Sequence, residues 1–266
     1  MDIIKTLAEE LGIGRHQAGA AVKLIDEGNT IPFIARYRKE ATGSLNDEVL
    51  RGLDERLKYL RNLEERKEQV IASVREQEKL TPELEKQIRE VKTLVAVEDL
   101  YRPYKPKRRT RAMIAKEKGL EPLADLISLQ MIKEPLEKAA ESFLSQDKGV
   151  GTVAEAIQGA MDILAERISD NAEYRTYIRN TTVNKGLLQS SAKDGTVKSV
   201  YEMYYNYEEP VKKAAGHRIL ALNRGENEKI LTVKIAAPEE QIFQYLEKKT
   251  ILRDNPYTTP VLKETV

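Results

Sequence analysis

The sequence predicts a mainly α-helical, elongated multi-helix assembly with a helix-turn-helix-like N-terminal unit, a long helical hairpin and a small β-hairpin near 217–236. Three observations carry this reading. Apolar residues recur at i, i+3 and i+4 through most of the chain, the period of a half-buried helix. Of the 266 residues, 41% are hydrophobic and 33% charged, as expected of solvated helices around a real core. Near the C-terminal end, two apolar runs flank a Gly/Asn/Glu linker, a hairpin pattern.

The elements follow in order. Ile3, Ile4, Leu7 and Leu11 mark a first helix that stops at Gly12-Ile13-Gly14. Ala18, Ala21, Val22 and Ile25 mark a second, ended by Gly28. Thr30 is placed to cap a third, and Pro32 suits its first turn. Together these short helices resemble a helix-turn-helix unit over 1–45. The clearest element runs from Asn46 or Asp47 to about Leu80, with Leu50, Leu53, Leu57, Leu60, Leu63, Val70, Ile71 and Val74 on one stripe. Thr81-Pro82 restarts a helix carrying Leu84, Ile88, Val91, Leu94 and Val95. The short connection predicts an antiparallel hairpin over 46–100.

Residues 101–215 are expected to form a helical domain that opens on a basic loop. Residues 123–180 read as helical throughout, with Asp170 or Asn171 capping a further helix. Then 183–197 is short and polar, and 198–207 reads as helix. The remainder, 216–266, is expected to be a small α/β segment. In it His217–Arg224 and Ile230–Ile235 form the strand pair, Pro238–Lys249 a last helix, and the tail a loop.

Composition narrows the function. Lys+Arg is 44 and Asp+Glu 43, for a net charge of +1, so any nucleic-acid affinity must come from local patches. There is no cysteine, which excludes thiolate metal sites, disulfides and a Cys nucleophile. The start of the chain lacks a signal-peptide pattern, and no apolar run reaches the roughly 18 residues of a membrane span. A cytoplasmic protein without membrane association is expected. The two histidines, His16 and His217, lie far apart and in no ligand motif, and no GxxxxGK[S/T] loop occurs. No catalytic constellation, metal, cofactor or small-molecule substrate is expected.

The feature that points to a partner is charge. Between Tyr101 and Lys118 the chain reads YRPYKPKRRTRAMIAKEK. Arg102, Lys105, Lys107, Arg108, Arg109 and Arg111 accumulate there with no acidic residue among them. Arginine forks suit phosphate oxygens, and phosphate contacts supply sequence-independent affinity. The same arginines would also suit clamping helical layers onto acidic residues. A second patch, Arg36, Tyr37, Arg38 and Lys39, lies at the exit of the N-terminal unit and reads either as a recognition surface or as helix C-terminal capping.

The strings IPFIARYRKEATGSLNDE at 31–48, YRPYKPKRRTRAMIAKEKGLEPLA at 101–124, ILAERISDNAE at 163–173 and HRILALNRGE at 217–226 resemble the N-terminal half of the Tex (transcription accessory protein) family. The likeness runs over nearly the whole chain. It implies an association with transcription and nucleic acid, RNA or DNA, weak through this part alone. It also implies that the chain ends ahead of the family's ribonuclease-H-like and OB-fold RNA-binding domains. The expected role is a non-catalytic scaffold of a nucleic-acid-binding transcription accessory protein. The alternative is a protein-interaction scaffold docking on the transcription machinery, with the basic loop purely structural.

Overall fold

Fifteen α-helices, two 3-10 turns and three strands make up the computed structural model, which describes residues 1–266. The protein is mainly helical, as its apolar periodicity dictates. It gathers into two units, Met1–Tyr104 and Lys105–Val266.

In the first unit, α1 (Ile3–Leu11), α2 (Arg15–Asp26), α3 (Ile31–Tyr37) and α4 (Lys39–Thr42) precede the 30-residue α5 (Asp47–Glu76). α6 (Pro82–Glu90) and α7 (Leu94–Tyr101) complete it. Short polar side chains start four of these helices by accepting free backbone N–H groups, whereas Thr30, at the N-cap of α3, makes no such bond. Asp2 accepts from Lys5, Asn46 from Val49, Thr81 from Leu84 and Thr93 from Ala96. The α5 stripe from Leu50 to Val74 is buried along its length, together with Leu7, Ala18, Ala21, Ile34, Ile88 and Val97.

The second arm of the predicted hairpin is not one helix. Val91 turns extended and Thr93 caps a new helix, so the chain reverses twice. α6 runs antiparallel to α5, with Glu85 against Arg75 and the Arg89 carbonyl accepting from Lys67 Nζ at 2.9 Å. α7 then runs parallel to α5: the Leu94 N–H donates to the Tyr59 hydroxyl, Arg66 pairs with Glu98, and Ser73 meets the Tyr101 hydroxyl at 3.0 Å. Lys67 is only 2% exposed and also donates to Glu64, so its charge is satisfied where it is buried.

The second unit packs α8 (Arg111–Glu117), α9 (Glu121–Leu129) and α10 (Leu136–Glu141) on the central α11 (Val153–Asp170). A capping box, Thr152 with Glu155, starts α11. Gly159 of α11 lets this packing close: a Cβ there would lie 2.4 Å from Leu120 Cδ1 and 3.3 Å from Ala115. The helix expected throughout 123–180 is interrupted. Gln130 sits in the left-handed region at φ 53, Pro135 precedes α10, and 142–152 is a turn closed by a Ser145–Val150 bridge.

α12 (Ala172–Lys185), capped by Asn171, leads into β1 (Leu187–Ala192), β2 (Asn206–Pro210), α13 (Gly216–Asn227), β3 (Leu231–Ala236), α14 (Glu239–Thr250) and α15 (Thr259–Thr265). The sheet is antiparallel in the order β2-β1-β3. Here the strand expectations are corrected. Residues 217–224 are helix, and β3 pairs with β1, not with its sequence neighbour. A continuous run such as Ile219-Leu220-Ala221-Leu222 has no diagnostic period. As a helix it buries Leu222 against Leu231, Tyr201 and Tyr204 and leaves Ile219 and Leu220 exposed. The polar stretch 187–192 is the central strand, and 198–207 is not a helix but a turn with one 3-10 segment that runs into the start of β2.

The tail is tied down and ends in α15, not a loop. Gln130 Nε2 donates to the Thr250 carbonyl at 2.7 Å, and its Oε1 accepts from the Leu252 and Arg253 N–H groups at 2.9 Å. Asn255 Nδ2 donates to the Ile132 carbonyl at 2.8 Å. With both segments held, α15 buries Leu262 against α11.

Candidate nucleic-acid interface

The patch in the first unit is built on α3. Ile34 is fully buried and pins this short helix to the core. Phe33 and Tyr37, one turn apart, therefore face outward with Arg36. Gln17 of α2 holds the chain on the far side of α4. Its Nε2 donates to the Thr42 and Gly43 carbonyls, and its Oε1 accepts from the Gly14 N–H. Gly43 takes φ 61 there, with the Gln17 side chain where a Cβ would stand. The Thr42 hydroxyl donates to the Arg38 carbonyl. The backbone around Arg38 and Lys39 is thus held at both ends of α4.

On this frame Phe33 is 37% and Tyr37 61% exposed, their ring centroids 5.3 Å apart. The Arg38 guanidinium lies 5.4 Å from the Phe33 ring and that of Arg36 5.9 Å from the Tyr37 ring. Arg36, Arg38 and Lys39 are exposed, and none forms an ion pair. Glu40 follows directly without pairing to them. An open groove beside the patch is lined by Pro32, Ala35, Arg36, Lys39, Ser44, Leu45, Asn46 and Asp47, the last of these paired with Arg51.

Other arginines of this unit are engaged. Arg56 grips Glu10, Arg61 grips Asp26, Arg66 meets Glu98 and Arg89 bridges Glu68 and Glu85. The hydrogen bonds from Arg56 and Arg61 hold the Glu10 and Asp26 carboxyls below their ordinary range. Against that background, three neighbouring cations without a carboxylate partner stand out.

The basic loop is different. Arg102 of the first unit and Lys105 of the second are exposed. Lys107 is turned inward. Its ammonium bonds Asp170 and lies 3.3 Å from Glu166, both on α11. Thr110 caps α8 and donates to the same Glu166. Arg109 pairs with Glu117 at 2.8 Å, and Arg111 reaches Asp162 at 3.9 Å while 86% exposed. Arg108 is exposed and forms no ion pair. The six residues grouped by sequence thus divide by role: Lys107 ties the loop to α11, while Arg108 faces solvent. The i,i+4 pair Phe33–Tyr37 is not evident as a unit from sequence, although the spacing shows it once the helix is granted.

His16 and His217 are both exposed and on helices; His217 opens α13, not a strand. No group of three or more His, Cys, Asp or Glu side chains is placed to hold a metal ion. No helix is long and apolar enough to cross a membrane.

Residues 1–75 match the family profile described as Tex-like protein N-terminal domain, and residues 132–255 match the one described as Tex central region-like. The chain belongs to the Tex family. It is 46% identical over 263 residues to the uncharacterized protein YdcI of Bacillus subtilis, covering 98% of this chain and 37% of that protein. To the transcriptional accessory protein Tex of Neisseria gonorrhoeae it is 43% identical, over 95% of this chain and 33% of that one. A human protein named S1 RNA-binding domain-containing protein 1 is 31% identical, over 88% of this chain and 24% of its own length. The chain therefore spans about a third or less of these relatives. The Phe33–Lys39 patch lies within the Tex N-terminal segment, and residues 102–111 lie between the two matched segments.

Proposed function

We propose that this part of a Tex-family transcription accessory protein is a non-catalytic nucleic-acid-binding scaffold. Sequence-independent phosphate contacts come from Arg36, Arg38 and Lys39 in the helix-turn-helix-like region. Arg108 acts in the same way on the second unit, while Arg109 and Arg111 would have to exchange their surface contacts with Glu117 and Asp162 for phosphate, and Arg102 and Lys105 lie on the flanking loop. The observation that carries the reading is that Arg36, Arg38 and Lys39 are exposed and form no ion pair, beside arginines that are ion-paired. Cations already neutralised by carboxylates have little to offer a phosphate. Unpaired ones release the counterions condensed on it. The names of the relatives agree, one being a transcriptional accessory protein and another an S1 RNA-binding domain protein.

The test is fluorescence anisotropy of labelled oligonucleotides at several salt concentrations, on the wild type and on an Arg36→Ala/Arg38→Ala/Lys39→Ala variant. Loss of three phosphate contacts makes the log-affinity against log-salt slope shallower by about 2–3. A folded variant with an unchanged slope removes the patch from the interface.

One observation favours the scaffold alternative for part of the loop. Lys107, held by Asp170 and Glu166, serves architecture.

A further inference from the structure

Phosphate contacts alone do not account for the aromatic content of the α3 surface. Phe33 and Tyr37 are among the few large apolar side chains left exposed in the first unit, and they occur as a pair with rings 5.3 Å apart. They are not turned into the core that holds Ile34, which lies between them in sequence. Each ring instead has a guanidinium within 6 Å, from Arg38 and Arg36. Aromatic rings interleaved with cations that lack carboxylate partners make the surface on which unpaired bases stack while their phosphates are neutralised. A duplex offers no free base faces to such a surface. An α-helix can read bases in the major groove, but there the contacts are polar groups on base edges.

We infer that the Phe33–Lys39 surface binds single-stranded nucleic acid. A base stacks on the exposed Tyr37 ring and is flanked by Phe33, while Arg36, Arg38 and Lys39 contact the adjoining phosphates. This rests on the nucleic-acid reading above and specifies its substrate class. The rigid support of α3 by Ile34 and of α4 by Gln17 presents the ring without an ordering cost on binding.

The chain contains no tryptophan, so Tyr37→Trp installs a single fluorescent indole at the stacking position. The probes are a short oligothymidylate, an abasic strand with the same number of phosphates, a duplex of equal length and polyglutamate. The expected results are quenching of the introduced indole by oligothymidylate but not by the abasic strand, and weaker binding of the duplex. Tyr37→Ala should weaken oligothymidylate binding about tenfold. It should leave the abasic strand nearly unaffected, and Tyr37→Phe should restore binding. Tyr37 is solvent-exposed, so these variants keep the wild-type circular dichroism spectrum.

The inference is overturned if the indole emission does not move at saturation, if Tyr37→Ala weakens both strands equally, or if the duplex binds as tightly as the single strand. Polyglutamate binding with the same Tyr37 dependence assigns the surface to an acidic protein and also overturns it. If these tests fail while the Arg36→Ala/Arg38→Ala/Lys39→Ala variant still flattens the salt dependence, phosphate binding stands without stacking. If the wild type binds no oligonucleotide even at low salt, both readings fall.

Discussion

Replacing Lys107 by methionine separates architecture from binding in the basic loop. In the wild type its ammonium sits between Asp170 and Glu166, with the Lys107 side chain 24% and the Asp170 side chain 9% exposed. Methionine keeps most of the stem and removes the charge, leaving two carboxylates on adjacent turns of α11 without the cation between them. Removing one partner of a fully buried ion pair costs about 3–5 kcal/mol. Because water still reaches Lys107, we expect about 2–3 kcal/mol here. For a unit of 150–250 residues each kcal/mol moves Tm by about 2–4 °C, so the fall should be about 5–10 °C. Thermal unfolding followed by circular dichroism reads it, with oligonucleotide anisotropy run in parallel. The reasoning fails if Tm is unchanged and the salt slope becomes shallower by about one unit, the signature of a lost phosphate contact.

Two further outcomes rest on the same geometry. Gln130→Leu keeps the bulk but abandons the Thr250 carbonyl and the Leu252 and Arg253 N–H groups. It should cost about 2–4 kcal/mol at roughly 1 kcal/mol per abandoned partner or somewhat more, and hydrogen exchange should accelerate selectively in 250–255; uniform exchange would contradict the clamp. Arg61→Met tests the surface pairing of the first unit. Asp26 is held below its ordinary value of 3.8 by Arg61, so the stability this pair contributes is complete above that value. It is lost as pH falls through the lower folded-state value. The Tm gap between variant and wild type should therefore narrow as pH drops from neutrality toward 2, and a constant gap would show that the carboxylate is not involved.

Much of the fold could be read from local pattern. The α5 stripe, the Gly12 and Gly28 stops, and the caps at Asn46, Thr81 and Asn171 each declare themselves within a few residues, because a helix closes its hydrogen bonds over four residues. The sheet could not be read this way. β1 is polar on one face, and its partners β2 and β3 come later in the chain, on either side of α13. A strand is defined by a neighbour, and no local rule names a neighbour that distant. The apolar run 219–222 reads as strand for the same reason: its burial is decided by Leu231, not by its own period.

The candidate site divides along the same line. The sequence by itself determined where the cations are and which family the strings resemble. It could not separate Lys107 from Arg108, adjacent and alike in charge. Only the tertiary structure does so, by placing Asp170 and Glu166 of α11 against the first and nothing acidic against the second. The same holds for Arg36, Arg38 and Lys39, whose availability depends on which carboxylates the fold brings near. A residue's charge is covalent, whereas its pairing is set by neighbours that only folding assembles.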